Sequence, residues 1–557
     1  MLLGLIGTTM GHAETPLVEQ TEPEFERIWR NLQTNETPPY WMAVQVHDKQ
    51  SLRVEATHGA ASAIDVDHKR VGDFDVRVGS FDLDNTHKIR DGSWFAEEVR
   101  GMLDLPLSDE NPWATKMEMW QVADDAYRSA LRRLIKVRAN QSVKVDREDP
   151  SPDFSASGAV EQIQTPTPML PNPELGQAWQ THVRDASRVF LDYPMVFDSN
   201  VAFQAKDNIT AFVSSEGTRL QTQRSHLRIA AWASTVADDG MEIEVYDYVD
   251  TASVEGLPDA DAVMELAQNV AEQVTALRAA PLIEPYVGPA ILRGRAAAVF
   301  FHEILGHRVE GHRQKDEDEG QTLTDKVGQS IFPSFVSVAD DPTMQTWNEI
   351  DLNGHYMFDD EGIPAQRVSV VDQGVLQAFL MSRAPIEGFS VSNGHGRRQP
   401  GAAVVARQGN LVVNATETVP YEELRAQLVA EIQRAEKPWG LIFDDISGGF
   451  TFTGRTTPNS FSVQPVTVWR VFADGRPDEL VRGVDLIGTP LSTFGEIIGA
   501  SDQTQVFNGT CGAESGWVPV SAIAPDLLIR QVEVQRSEKQ NDRPPLLTPP
   551  TVSQEAP

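Results

Sequence analysis

The residues most able to do chemistry gather in residues 300–311, FFHEILGHRVEG, where His302 and His307 flank Glu303 on an otherwise apolar background. Two imidazoles and a carboxylate are parts of a site that holds a divalent ion and moves a proton beside it. When two ligating histidines stand four residues apart on a helix, they are offset by about 40° and both rings reach one ion. Here the interval is five. That spacing sets the rings about 140° apart on an ideal helix, so a shared ion requires the helix to end or bulge between them. Gly306 stands where the break is needed, and glycine tolerates the dihedrals of a helix end.

A catalytic zinc site takes three protein ligands and keeps a further position open, so two histidines are not enough. Close by, Glu310 and His312 carry donor atoms; far downstream, Cys511 lies in the glycine-flanked segment Asn508-Gly509-Thr510-Cys511-Gly512. A thiolate binds zinc well and is kept deprotonated by it. On chemistry alone Cys511 and Glu310 are equally eligible. Taken singly, an isolated cysteine reads as an inert small hydrophobe and a lone histidine as structural. His395 with Arg397 and Arg398 could grip a peptide carboxylate, although arginine pairs are mostly solvated surface, and the acidic run 316–319 reads as a solvated loop.

The scaffold that must position these residues reads in two parts. Residues 40–57 and 73–83 alternate apolar and polar side chains, as antiparallel strands do. Over 112–138 the period changes to that of a helix, with Trp120, Ala123, Tyr127, Ala130, Leu131, Leu134 and Ile135 as its stripe. Residues 146–173 are rich in Pro, Asp, Ser and Thr and read as a loop or linker. Strands resume between 196 and 249, and a second amphipathic helix spans 258–278. After Gly294 a short helix carries the histidines, and the chain becomes mainly strand, with one helix near 420–435 and a last strand at 527–534. The expected fold class is α+β: an amino-terminal α/β-mixed domain over 14–280, a strand-rich carboxy-terminal domain over 281–536 with the metal-binding helix at their junction, and a polar, Pro-rich, disordered tail over 537–557.

Composition excludes several classes. With 47 Lys+Arg against 81 Asp+Glu in 557 residues, the net charge of −34 repels phosphate backbones and anionic membrane surfaces, so nucleic acid is not an expected partner. One cysteine rules out an intrachain disulfide and a cysteine-rich zinc ribbon. No apolar run is long enough for a membrane-spanning helix. Residues 1–13, MLLGLIGTTMGHA, look like the end of a secretory signal without its basic start, which leans the expected location toward export to the periplasm, with the cytoplasm as the alternative.

His302-Glu303-Ile304-Leu305-Gly306-His307, followed by Glu310-Gly311, resembles the HExxxH motif of the TldD/PmbA family of metallopeptidases. The likeness continues through Gly394-His395-Gly396-Arg397-Arg398, Ser447-Gly448-Gly449-Phe450 with Phe461-Ser462-Val463, and Arg482-Gly483-Val484 with Leu486-Ile487-Gly488. It ends in Cys511-Gly512-Ala513-Glu514-Ser515-Gly516 and Val518-Pro519-Val520, so that about residues 290–535 are covered. The resemblance implies zinc held by His302, His307 and Cys511, with Glu303 as catalytic base. It implies a peptide substrate and assembly as a homodimer or as a heterodimer with a related subunit. The inactive partner subunits of the family lack this residue set, so the chain is similar to the catalytic TldD type. A non-catalytic peptide-binding subunit with a structural zinc, and a zinc amidohydrolase of small molecules, are the competing readings.

Overall fold

In this computed structural model the described residues are 15–89, 101–107, 112–141, 149–316, 318–451, 453–454, 461–489, 493–537 and 550. The leader at 1–13, the start of the linker at 146–148 and nearly all of the tail lie outside them.

The long alternating segments of the amino-terminal half form an antiparallel sheet. Pro39–Thr57 is its spine, flanked by Asp65–Val78 and Asp198–Ser214, and the sheet continues through Arg219–Val236 to Glu242–Thr251. Residues alternate sides along a strand. One face presents Met42, Val44 and Val46, then Leu52, Val54 and Ala56, to four helices: Leu17–Leu32, Pro112–Gln141, Pro173–Ser187 and Ala260–Ala279. The opposite face carries Gln45, Asp73, Asp75 and Arg77, and it meets the carboxy-terminal half through polar contacts such as Gln45 to Asp360 at 2.8 Å and Arg383 to Glu216 at 2.7 Å.

Two readings of this half need correction. The helix Pro112–Gln141 buries Met119, Val122, Ala123, Tyr127, Ala130, Leu134 and Val137, while Trp120 and Ile135 are 45% and 69% exposed. Ala123, Tyr127, Ala130 and Leu134 are common to the expected and the buried stripe, and Met119, Val122 and Val137 complete it where Trp120 and Ile135 were expected. The strand expected at 73–83 runs instead over Asp65–Val78. Its first residues, Asp65–Val66–Asp67–His68–Lys69–Arg70, lie toward solvent and carry no apolar alternation to betray them. Helices Leu17–Leu32 and Pro173–Ser187 went unread, the first running on through Pro23 and the second entered through Pro173 after the cap Asn172. The linker contains a short strand, Glu161–Ile163, parallel to Arg219–Val236. Helix Ala260–Ala279 buries Val263, Leu266, Val270, Val274 and Leu277, and Asp259 caps it by accepting from Ala262 N at 2.9 Å.

The carboxy-terminal half is built on an eleven-stranded sheet among the described residues. Five of its strands, Tyr286–Leu292, Trp439–Thr451, Phe461–Phe472, Val484–Gly488 and Gly516–Arg536, bond in sequence, and the last bonds back to the first. The pairing is thus a ring. Helix Gly294–Ile304 follows the first of these strands and touches Trp439–Thr451, Phe461–Phe472, Ile497–Ala513 and Gly516–Arg536. Its residues Ala296–Ile304 are all buried, as expected for a helix that is apolar around most of its circumference. The expected helix near 420–435 is Tyr421–Arg434, and the last strand extends well beyond 527–534 to span Gly516–Arg536. The molecule is an α+β fold. No helix of the described residues is long and apolar enough to cross a membrane.

Candidate metal centre

The helix bearing the histidines starts with its Gly294 N–H donating to Asp526 Oδ1 at 2.8 Å, a carboxylate at the positive end of the helix. It stops at Ile304. Leu305 has φ −113° and ψ −51°, and Gly306–Val309 form a single tighter 3-10 turn. The break expected at Gly306 thus lies one residue earlier and uses no left-handed backbone. Gly306 serves a different purpose: a Cβ there would stand 1.9 Å from Gln408 Oε1. Arg308 secures the end by donating to the carbonyls of Glu303 and Ile304 at 2.8 and 3.2 Å, groups that a terminated helix leaves without partners.

The change of helix type brings the two rings together. Their centroids are 5.0 Å apart with planes at 81°. Cys511 enters from strand Ile497–Ala513, its Sγ 3.2 Å from His302 Nε2 and 3.3 Å from His307 Nε2. The three donor atoms lie within 4.8 Å of one another, and all three residues are buried. Two imidazole nitrogens and one sulfur are a donor set suited to zinc. Glu303 lies beside them, packed on the backbone of Gly449, where a Cβ would stand 2.9 Å from its Cγ.

Electrostatics match the geometry. Burial alone would push the Cys511 thiol up, but His307 and His302 outweigh it and hold the group well below the usual thiol range. Burial lowers and Cys511 raises both histidines, with Glu310 adding to the rise at His307, so each ends above the ordinary imidazole value. Burial also raises the Glu303 carboxyl, against the opposing pull of the two histidines.

The alternative ligands of the sequence reading take other places. Glu310 Oε2 stands 3.2 Å from His307 Nδ1, the nitrogen that faces away from Cys511. A carboxylate there fixes the ring so that Nε2 turns inward. Burial raises Glu310, yet His307 and Arg313 together with Arg407 bring it down to about 2. His312 bonds to Glu514 and does not reach the trio. Arg313 reaches Glu310 at 2.9 Å, Glu319 at 2.9 Å and Glu514 at 3.0 Å, so Glu319 is a buried partner rather than part of a solvated loop.

Arg407 was missed altogether. It is fully buried, with Nε 3.3 Å from Glu310 Oε1 and Nη2 donating to the Cys511 carbonyl at 2.9 Å, so it links the support of His307 to the strand of Cys511. No spacing or composition in its own segment points to that role. His395, Arg397 and Arg398 are neither solvated nor poised on a ligand. His395 Nε2 lies 3.2 Å from Asp340 Oδ1, Arg397 donates to the Gln408 carbonyl at 2.5 Å, and Arg398 pairs with Asp73 across the two halves.

The trio and Glu303 open on a cavity of about 950 Å³, bordered also by Phe450, Glu514 and Trp517. A strand-rich half with a His/His/Cys cluster and a carboxylate at its centre has the makings of a metallohydrolase. Residues 286–536 match the family model of the PmbA/TldA metallopeptidase C-terminal domain. Over these residues the chain carries a domain of the TldD/PmbA type. It is 27% identical over 345 residues to a protein of Methanothermobacter thermautotrophicus named metalloprotease, covering 61% of this chain and 70% of that one. It is 26% identical over 250 residues to a metalloprotease TldD homolog of Haemophilus influenzae, covering 44% and 48%. A zinc metalloprotease TldD homolog of Saccharolobus solfataricus is 23% identical over 44% of this chain and 51% of its own. The chain therefore spans about half the length of the latter two relatives. In three dimensions the fold is like that of TldE from Thermococcus kodakarensis, with a TM-score of 0.58, 14% identity, and coverage of 92% of this chain and all of the other.

Proposed function

We propose that this chain is a zinc-dependent peptidase acting on unfolded or short peptides, with His302, His307 and Cys511 as ligands and Glu303 as general base. The observation that carries the reading is the convergence of three buried donor atoms within 4.8 Å beside a carboxylate whose proton affinity is raised by burial. Bound zinc would supply Lewis acidity toward water and toward the peptide carbonyl. Glu303 takes a proton from the attacking water and returns it to the departing amine as the C–N bond breaks. Glu310 holds His307 in orientation, and Arg407 and Arg313 hold Glu310.

An extended peptide suits the walls. Residues 448–451 bond to residues 461–464 along one edge and border the cavity, which favours strand-like binding of an unfolded substrate. Assembly as a homodimer, or as a heterodimer with a related subunit, belongs to the same reading.

Replacing Glu303 tests it. Glu303→Gln is expected to keep stoichiometric zinc and lose peptide cleavage, whereas Cys511→Ala and His302→Ala lose both. Metal analysis beside a cleavage assay on the isolated chain reads the outcome. Full turnover in the Gln variant removes the base assignment, and zinc binding without turnover in the parent chain leaves a non-catalytic partner subunit.

A further inference from the structure

Trp517 opens strand Gly516–Arg536 and sits across the hairpin from Gly512, the residue that follows Cys511. A Cβ on Gly512 would stand 2.8 Å from Cζ3 and 2.9 Å from Cη2 of the indole, so the ring rests on the bare backbone beside the cysteine. Any side chain at 512 would lift it. Trp517 is 65% exposed, and Phe450, on strand Trp439–Thr451, is 46% exposed; both border the cavity that holds the histidines, Cys511 and Glu303. Two large aromatic faces open to water beside a reaction centre mark a place where apolar surface is to be covered.

The charges around them narrow what covers it. Glu514 and Glu319 are tied to Arg313 at 3.0 and 2.9 Å, and Asp318 to Lys88 at 2.7 Å. The acids of this wall therefore already have cationic partners, and the aromatic faces are left as the distinguishing feature.

We infer that Trp517, with Phe450, receives an uncharged aromatic or branched aliphatic side chain of a peptide next to the bond being cut, and that Trp517 sets the selectivity of the site. This rests on the peptidase reading above. The gain comes from burying apolar surface against a ring held in place before the substrate arrives. It is felt in binding rather than in the chemical step.

End-blocked peptides of equal length that differ only in carrying Phe, Gly or Lys beside the cleaved bond test the inference. The parent protein is expected to favour Phe over Gly in kcat/KM by about tenfold or more. In Trp517→Ala that ratio collapses toward one through KM, with zinc content equal to the parent, and Trp517→Phe restores most of it. An unchanged ratio in Trp517→Ala, or preference for Lys over Phe, overturns the inference. Calorimetric binding of the same Phe and Gly peptides to zinc-loaded Glu303→Gln protein, with and without Trp517→Ala, separates the two readings. Absence of any turnover in the parent would remove the peptidase assignment, yet a Phe preference in binding that vanishes with Trp517 would still support the aromatic subsite. Equal binding of the two peptides overturns it.

Discussion

Two clusters of potential metal ligands lie side by side: His302, His307 and Cys511 in one, Glu310, His312 and Glu514 in the other, each with donor atoms within 4.8 Å. In the first, the sulfur faces the two imidazole nitrogens at 3.2 and 3.3 Å. In the second, Arg313 bonds to both glutamates, and Arg407 adds a second guanidinium at Glu310. The same count of ligand atoms thus means different things. On the reading proposed above, the cluster whose charge is met by arginine is support, and the one whose donors face each other holds the ion.

Substitutions can break that distinction. The largest effect is expected from His307→Ala, which removes a proposed ligand: zinc is lost and turnover falls by several orders of magnitude, as read by metal analysis and a cleavage assay. Next comes Arg313→Met, which leaves buried carboxylates without their counter-charge. Unfolding free energy is expected to fall by about 3–5 kcal/mol, measured by urea denaturation. Glu310→Gln keeps the volume but weakens the hold on His307 Nδ1, and zinc affinity is expected to fall about 10–100-fold in a chelator competition. The smallest effect belongs to His312→Gln, with zinc stoichiometry unchanged and stability altered by no more than about 1 kcal/mol. If His312→Gln released zinc and His307→Ala did not, the roles of the two clusters would be reversed.

The contrast also explains what could be read from the chain beforehand. Ligands must be of particular types, so His302, His307 and Cys511 stood out, as did Glu303 between the histidines. Supporting charge needs only to arrive. Arg407 reaches Glu310 and the Cys511 carbonyl only after the strands have assembled, and an arginine in its segment looks like any other. The same is true of His395, Arg397 and Arg398, whose local pattern suggested a surface while the fold buries them. Among the elements, alternation revealed Pro39–Thr57 because one face is apolar at Met42, Val44 and Val46 and again at Leu52, Val54 and Ala56, and a regular stripe revealed Ala260–Ala279. Strand Asp65–Val78 was blurred where its start lies toward solvent, and the helix Leu17–Leu32 was blurred by Pro23.

The ring of strands has a consequence for the order of synthesis. His302 and His307 precede Cys511 by 209 and 204 residues, and the sulfur comes just ahead of Gly516–Arg536, the strand whose pairing closes the circle. During translation both imidazoles leave the ribosome long before their third companion exists. With the ligand set proposed above, three-point holding of the ion waits for Cys511 and for the strand that closes the ring.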